Sequence, residues 1–204
     1  MSELSSSQGR TWAQHLVLSA ARLEVFLPAV EALAARDVQI MTLAQAGATA
    51  LPAFYELLKA TSRSLGAGSL PAAANDYDQF QHWLARPEVD GRLILLARSA
   101  EVYAGYTVLT RSEGDNDEGR LIDNGTATDR AFKRQGITLA LRVRGIQQAQ
   151  RLGYDSITTY TDAENFTMLA LNEKLGFERA YVRTQLGSYE AHISGEEIGN
   201  HDEL

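Results

Sequence analysis

The chain has no cysteine among its 204 residues, which excludes disulfides, thiolate metal sites and any covalent intermediate on a Cys sulfur. Basic residues are in the minority, 19 against 26 acidic for a net charge of −7, so binding to nucleic acid through counterion release is not expected. No stretch approaches the ~20 apolar residues of a membrane span, and the start, MSELSSSQGRTW, lacks the basic and apolar runs of a secretory signal. A cytoplasmic protein without membrane partners is therefore expected. Outside a secretory route the terminal HDEL and the glycosylation-like triplets at Asn124 and Asn165 carry no message. The four histidines, His15, His82, His192 and His201, form no pair at metal-ligand spacing, so no metal site is expected. Neither G-x-S-x-G nor a phosphate loop ending in G-K-[ST] occurs.

What is present is a chain 45% hydrophobic, enough for one sizeable core. Leu16, Leu23, Phe26, Leu27, Val30 and Leu33 recur at helical spacing around Pro28, predicting one kinked helix or two short ones over 11–36. This extension is a candidate cap for the core or a homodimer contact. A strand follows at 38–43, then a helix at 49–64 and a loop at 66–75. Asp76 caps a short helix carrying Tyr77, Phe80, Trp83 and Leu84. Runs at 92–98 and 102–110 read as a hairpin, EGDNDEG (113–119) as a solvated loop, and 119–128 as a strand that Asn124 and Gly125 bend or bulge.

The helix over 136–152 places Leu139, Leu141, Gly145, Ile146, Ala149 and Leu152 on one side and Arg144, Gln147, Gln148 and Arg151 on the other. Gly153 ends it. A strand at 156–161, a helix at 164–175 closed by Gly176, at most two short strands over 177–192 and a polar tail complete the order. Strands antiparallel in the middle, with a crossover helix between two neighbours, give a mixed sheet covered by helices.

Two segments carry the chemistry. In DRAFKRQGIT a short basic, Gly-containing loop opens a helix, where unpaired backbone N–H groups favour an anion such as a diphosphate. Forty residues on stands ENFTMLALNEKLGF. Together they resemble the Gcn5-related N-acetyltransferases (GNAT), whose first pattern is Arg or Gln, two residues, Gly, one residue, then Gly or Ala. On that frame Lys133, Arg134, Gln135, Gly136, Ile137 and Thr138 form the cradle. Lys133 stands where Arg or Gln is usual and Thr138 where Gly or Ala is usual. Asn165 to Phe177 resembles the family's N-xx-ML-xx-N-xxx-GF ending.

The resemblance covers roughly 37–192, leaving 1–36 as an N-terminal helical extension and 193–204 as a polar tail. It implies an α/β (α+β) fold with a mixed, mostly antiparallel sheet and helices on both faces. It also implies acetyl-CoA as cofactor and acetyl transfer to a primary amine of a small molecule by direct attack in a ternary complex. Thr126, Ala127 and Thr128 would lend backbone groups to the pantetheine arm, and Asn165 a side-chain amide that an N-cap role explains equally well. Asn172 stands where many members have a tyrosine acid. An amide cannot act as that acid but can orient a water or bond the sulfur, so Tyr160 is the nearest candidate acid. Asp123, with Glu101 behind it, is the candidate base. The departures at Lys133, Thr138 and Asn172 keep open a CoA-binding or regulatory module with little turnover; transfer to a protein or peptide amine is a third reading.

Overall fold

The computed structural model describes residues 11–61, 76–112, 118–183 and 189–191. The loop expected at 66–75, most of that at 113–119 and the tail lie outside them. The strands are β1 (Thr11–Val17), β2 (Val38–Thr42), β3 (Ile94–Ser99), β4 (Val102–Arg111), β5 (Arg120–Thr128), β6 (Ser156–Asp162), β7 (Glu178–Arg183) and β8 (Tyr189–Ala191). The helices are α1 (Leu27–Ala34), α2 (Leu43–Ala46), α3 (Leu51–Thr61), α4 (Tyr77–Leu84), α5 (Ile137–Arg151) and α6 (Phe166–Leu175). All the strands join one sheet in the order β2-β3-β4-β5-β6-β1-β7-β8. Every pairing is antiparallel except that of β5 with β6, which the α5 crossover makes possible.

β4 is a nearly unbroken buried run because helices cover both its faces. On one, Thr107 and Leu109 lie under α5 at Gly145, and a Cβ on Gly105 would fall 2.7 Å from Ala127 O and 3.1 Å from Leu141 Cδ1. Glycine there lets helix and strands close. On the other, Tyr106 meets Phe54 of α3 edge-to-face at 5.6 Å, and Phe54 in turn meets Phe80 of α4. Burial pushes the Tyr106 hydroxyl up to about 12 while Thr61 hydrogen-bonds it at 3.1 Å; this is core. Among the described residues no helix is long and apolar enough to cross a membrane.

From residue 38 onward the element order is the expected one. The N-terminal segment is not. Residues 11–17 are a strand seated between β6 and β7, and helix is confined to Leu27–Ala34 with Pro28 in its first turn. Two one-turn 3₁₀ segments, Leu18–Ala20 and Glu24–Phe26, join them. Leu16, Leu23, Val30 and Leu33 do enter one core cluster, so burial was legible while backbone state was not. The strand was masked because Gln14 is buried and Val17 half exposed, which spoils the alternation that marks a strand.

Candidate functional site

β5 changes partners along its length. Arg120 to Asp123 pair with Ser156 to Thr159 of β6, and there the pairing stops. β5 runs on beside β4 to Thr128, and β6 beside β1 to Asp162, so a gap opens between 124–128 and 160–162. A bulge starts it: Val108 faces Gly125 and Leu109 faces Asp123, leaving Asn124 extra. Asn124 is held by Nδ2 donating to Thr110 Oγ1 at 2.6 Å. The bulge expected at Asn124 and Gly125 is thus present.

The gap is lined by backbone. Asp129 N–H donates to Ala104 O at 2.8 Å, and alternation along an antiparallel strand then turns the N–H and C=O of Ala127 to β4 and those of Thr126 and Thr128 to the gap. Of the three residues expected to lend backbone groups, two face the opening. Their side chains lie on the α5 side, where Thr126 Oγ1 bonds Thr107 Oγ1 at 2.7 Å and Thr128 Oγ1 bonds Thr138 Oγ1 at 2.8 Å.

At the end of β5 the chain makes a 3₁₀ turn over Arg130–Phe132, capped by Asp129 accepting from Ala131 N–H. Arg134 (φ 62°) and Gly136 (φ 85°) then take left-handed conformations two residues apart, and α5 begins at Ile137 with no side chain capping it. The first N–H groups of that helix are therefore offered outward. A Cβ on Gly136 would meet nothing within 4 Å, so the cradle is open at its centre. Arg36 braces the loop, donating to Gln135 O at 3.2 Å and to its Oε1 at 3.1 Å. Gln135 is thus a strut as well as a cradle residue. Lys133 and Arg134 are exposed, whereas Ile137 is buried and offers only its N–H.

The expected base, Asp123, is surrounded by partners. Asp123 is buried: Oδ1 accepts from Gly125 N–H at 2.9 Å, and Oδ2 accepts from Arg142 Nη1 and from Thr159 Oγ1 at 3.3 Å. Arg142 is buried too and reaches Thr126 Oγ1 at 3.4 Å. A carboxylate engaged on both oxygens ties β5 to β6 just where they part. The alternative, Glu101, is an exposed turn residue in the β3–β4 hairpin. Asn172 is fully buried, its Nδ2 donating to Gln14 Oε1 at 2.7 Å and Thr161 Oγ1 at 3.3 Å. Gln14 Nε2 and Asn172 Oδ1 are left without partners. Asn165 caps α6, its Oδ1 accepting from Met168 N–H at 3.2 Å, and is exposed.

Tyr160 is 38% exposed on the sheet face opposite α5 and α6, just beyond the last β5–β6 pair. That is the edge of the gap. The sequence reading missed Arg142, Gln14 and His15. Arg142 lies on the core side of α5, where a charge signals a buried partner; the other two were hidden by the helical reading of β1.

No curated protein matches the chain in sequence. Among solved structures it is similar to a GCN5-related N-acetyltransferase from Sphaerobacter thermophilus, with TM-score 0.63, 17% identity, and 86% of this chain covering 50% of that one. The chain thus spans about half the length of that relative. It is also similar to the ribosomal-protein-S18-alanine N-acetyltransferase from Escherichia coli, with TM-score 0.54, 20% identity, and coverage of 74% and 88%. An aminoglycoside acetyltransferase from an uncultured soil metagenomic sample gives TM-score 0.53, 17% identity, and coverage of 82% and 95%. At such identities the likeness shows the fold. The sequence model of the acetyltransferase (GNAT) family matches residues 51–177, which takes in α3, the bulged β5, the cradle and α6, and the chain belongs to that family.

Proposed function

We propose that the protein is an acetyl-CoA-dependent N-acetyltransferase acting on the primary amine of a small molecule by direct attack in a ternary complex. The observation that carries this reading is the continuity of the β5–β6 gap with the uncapped, doubly left-handed start of α5. An extended arm with amide groups fits the gap, because Thr126 and Thr128 offer it a strand edge. A diphosphate fits the cradle, because the N–H groups of Ile137, Thr138 and Leu139 and the helix dipole favour an anion there.

Lys133 and Arg134 add positive charge at the rim, Lys133 as a point charge instead of a bidentate fork. In the Thr128–Thr138 pair one hydroxyl donates to the other, so the acceptor keeps its own O–H for a phosphate oxygen. When bound, acetyl-CoA supplies the activated acyl group. Tyr160 stands where a proton can be handed to a departing sulfur.

Calorimetry with CoA and acetyl-CoA tests the reading. Sub-millimolar binding is expected for the wild type and none for Gly136→Glu, which sets a carboxylate in the open centre of the cradle; undiminished affinity in that variant would place the cradle elsewhere. A second reading, a CoA-binding module with little turnover, is favoured by the burial of Asn172 and the engagement of Asp123. Thiol release across a panel of amines separates the two: amine-dependent release excludes the inert module.

A further inference from the structure

The inserted strand β1 carries, beside β6 and short of the gap, a residue that no motif marks. Alternation along β1 sends Gln14 and Leu16 to the α5 and α6 side, and His15 to the other, where its Nδ1 lies 3.2 Å from Thr158 Oγ1. His15 is paired across from Thr158, and Tyr160 sits one same-face position further along β6. On this face Val17 is 50% and Tyr160 38% exposed. On the face away from α5 and α6, an imidazole, a threonine hydroxyl and a phenol thus run in series from beside the paired half of β5 and β6 up to the edge of the gap.

Resting on the N-acetyltransferase reading, we propose that His15 accepts the proton that an acceptor ammonium must lose before it attacks, with Thr158 and Tyr160 as the path. R–NH₃⁺ gives up one proton, the imidazole becomes imidazolium, the amine becomes neutral, and the ring returns the proton to solvent. His15 stands two strands from β5, about 10 Å by strand spacing. That exceeds one hydrogen bond, so the proton moves through the hydroxyls and water between them. With Thr158 Oγ1–H donating to Nδ1, the ring takes the relayed proton on Nδ1, and the imidazolium then gives up its Nε2–H to solvent.

The charged groups facing His15 are Glu178, directly opposite on β7, and Arg120 of β5. Burial and Arg120 lower its pKa from 6.5 and Glu178 opposes them, so the ring is neutral and ready to accept at neutral pH.

His15→Gln, which keeps a polar group beside Thr158 but cannot take a proton, is the test. CoA affinity should stay within about twofold of wild type, while kcat/KM for primary amines falls at least tenfold and the acidic limb of its pH profile disappears, the order expected for lost base catalysis. Hydroxylamine, neutral at the assay pH, should lose little, and added imidazole should restore part of the rate in His15→Ala. Thr158→Val should lower the rate while leaving the limb in place.

A readout independent of turnover is the NMR titration of the His15 ring, expected below the ordinary histidine value and displaced by benzylamine. An unchanged pH profile in His15→Gln, or a ring that titrates at or above that value, overturns the role of His15 and leaves CoA binding intact. Loss of CoA binding in the wild type overturns the underlying reading instead.

Discussion

The two halves of β5 make an instructive contrast. Residues 120–123 are paired on both sides and braced by a buried ion pair; residues 124–128 are paired only to β4. The first half spends its backbone hydrogen bonds on the fold. The second, past one extra residue at Asn124, leaves every other N–H and C=O unpaired by β6. Ending a strand pairing early is thus enough to make a binding edge, provided the junction cannot zip shut or fall apart. Asp123 and Arg142 meet both needs, reaching Thr159 on one lip and Thr126 on the other.

That contrast breaks most severely at the brace. Asp123→Ala leaves Arg142 charged and buried without its partner, at a cost of roughly 3–5 kcal/mol, to be read from urea unfolding. CoA affinity should fall with it because the lips lose their spacing. A smaller effect is expected at Asn172→Ala, where Gln14 loses its partner and β1 its polar link to α6, for about 1–3 kcal/mol. The double replacement Gln14→Leu with Asn172→Leu should be close to neutral, since it removes both unpartnered atoms along with the bond; a loss as large as the single variant's would mean that the pair sets the register of β1.

In the binding half, Gly105→Ala should cost about 1–3 kcal/mol by overpacking and should raise the Kd for CoA, because the new methyl meets Ala127 O behind the gap. The smallest effects are pH-dependent. The hydrogen bonds from Arg92, with help from Arg111, hold the Asp90 carboxyl down to about 2 from 3.8. Its contribution is complete above pH 3.8 and is lost as pH falls toward 2, so Asp90→Asn should flatten thermal stability across that window. His15, also lowered, contributes above pH 6.5 and loses that contribution on acidification; His15→Gln should remove that slope.

The cradle and α6 were legible because their signals are local. Gly136 marks a left-handed helix start, Asn165 a cap, and Gly176 a helix end, each written within a few residues. The bulge at Asn124 and Gly125 was legible for the same reason. β1 was not, because its state is fixed by strands more than 140 residues away in sequence, and its buried face carries a glutamine in place of the expected apolar residue. The ion pair of Asp123 was not legible for a related reason: its partner Arg142 lies a helix away. The backbone geometry of the proposed cradle was therefore legible from motif spacing, while the side chains of the proposed proton relay depend on a strand insertion that the motifs do not encode.

The central claim, that the unpaired half of β5 and the start of α5 form one acyl-CoA site, is tested most directly by following backbone amide resonances as CoA is added. Thr126, Thr128, Ile137 and Thr138 should shift together with one dissociation constant, while Leu121 and Ile122 stay in place. Shifts confined to α5, or centred on the paired half of β5, would contradict it.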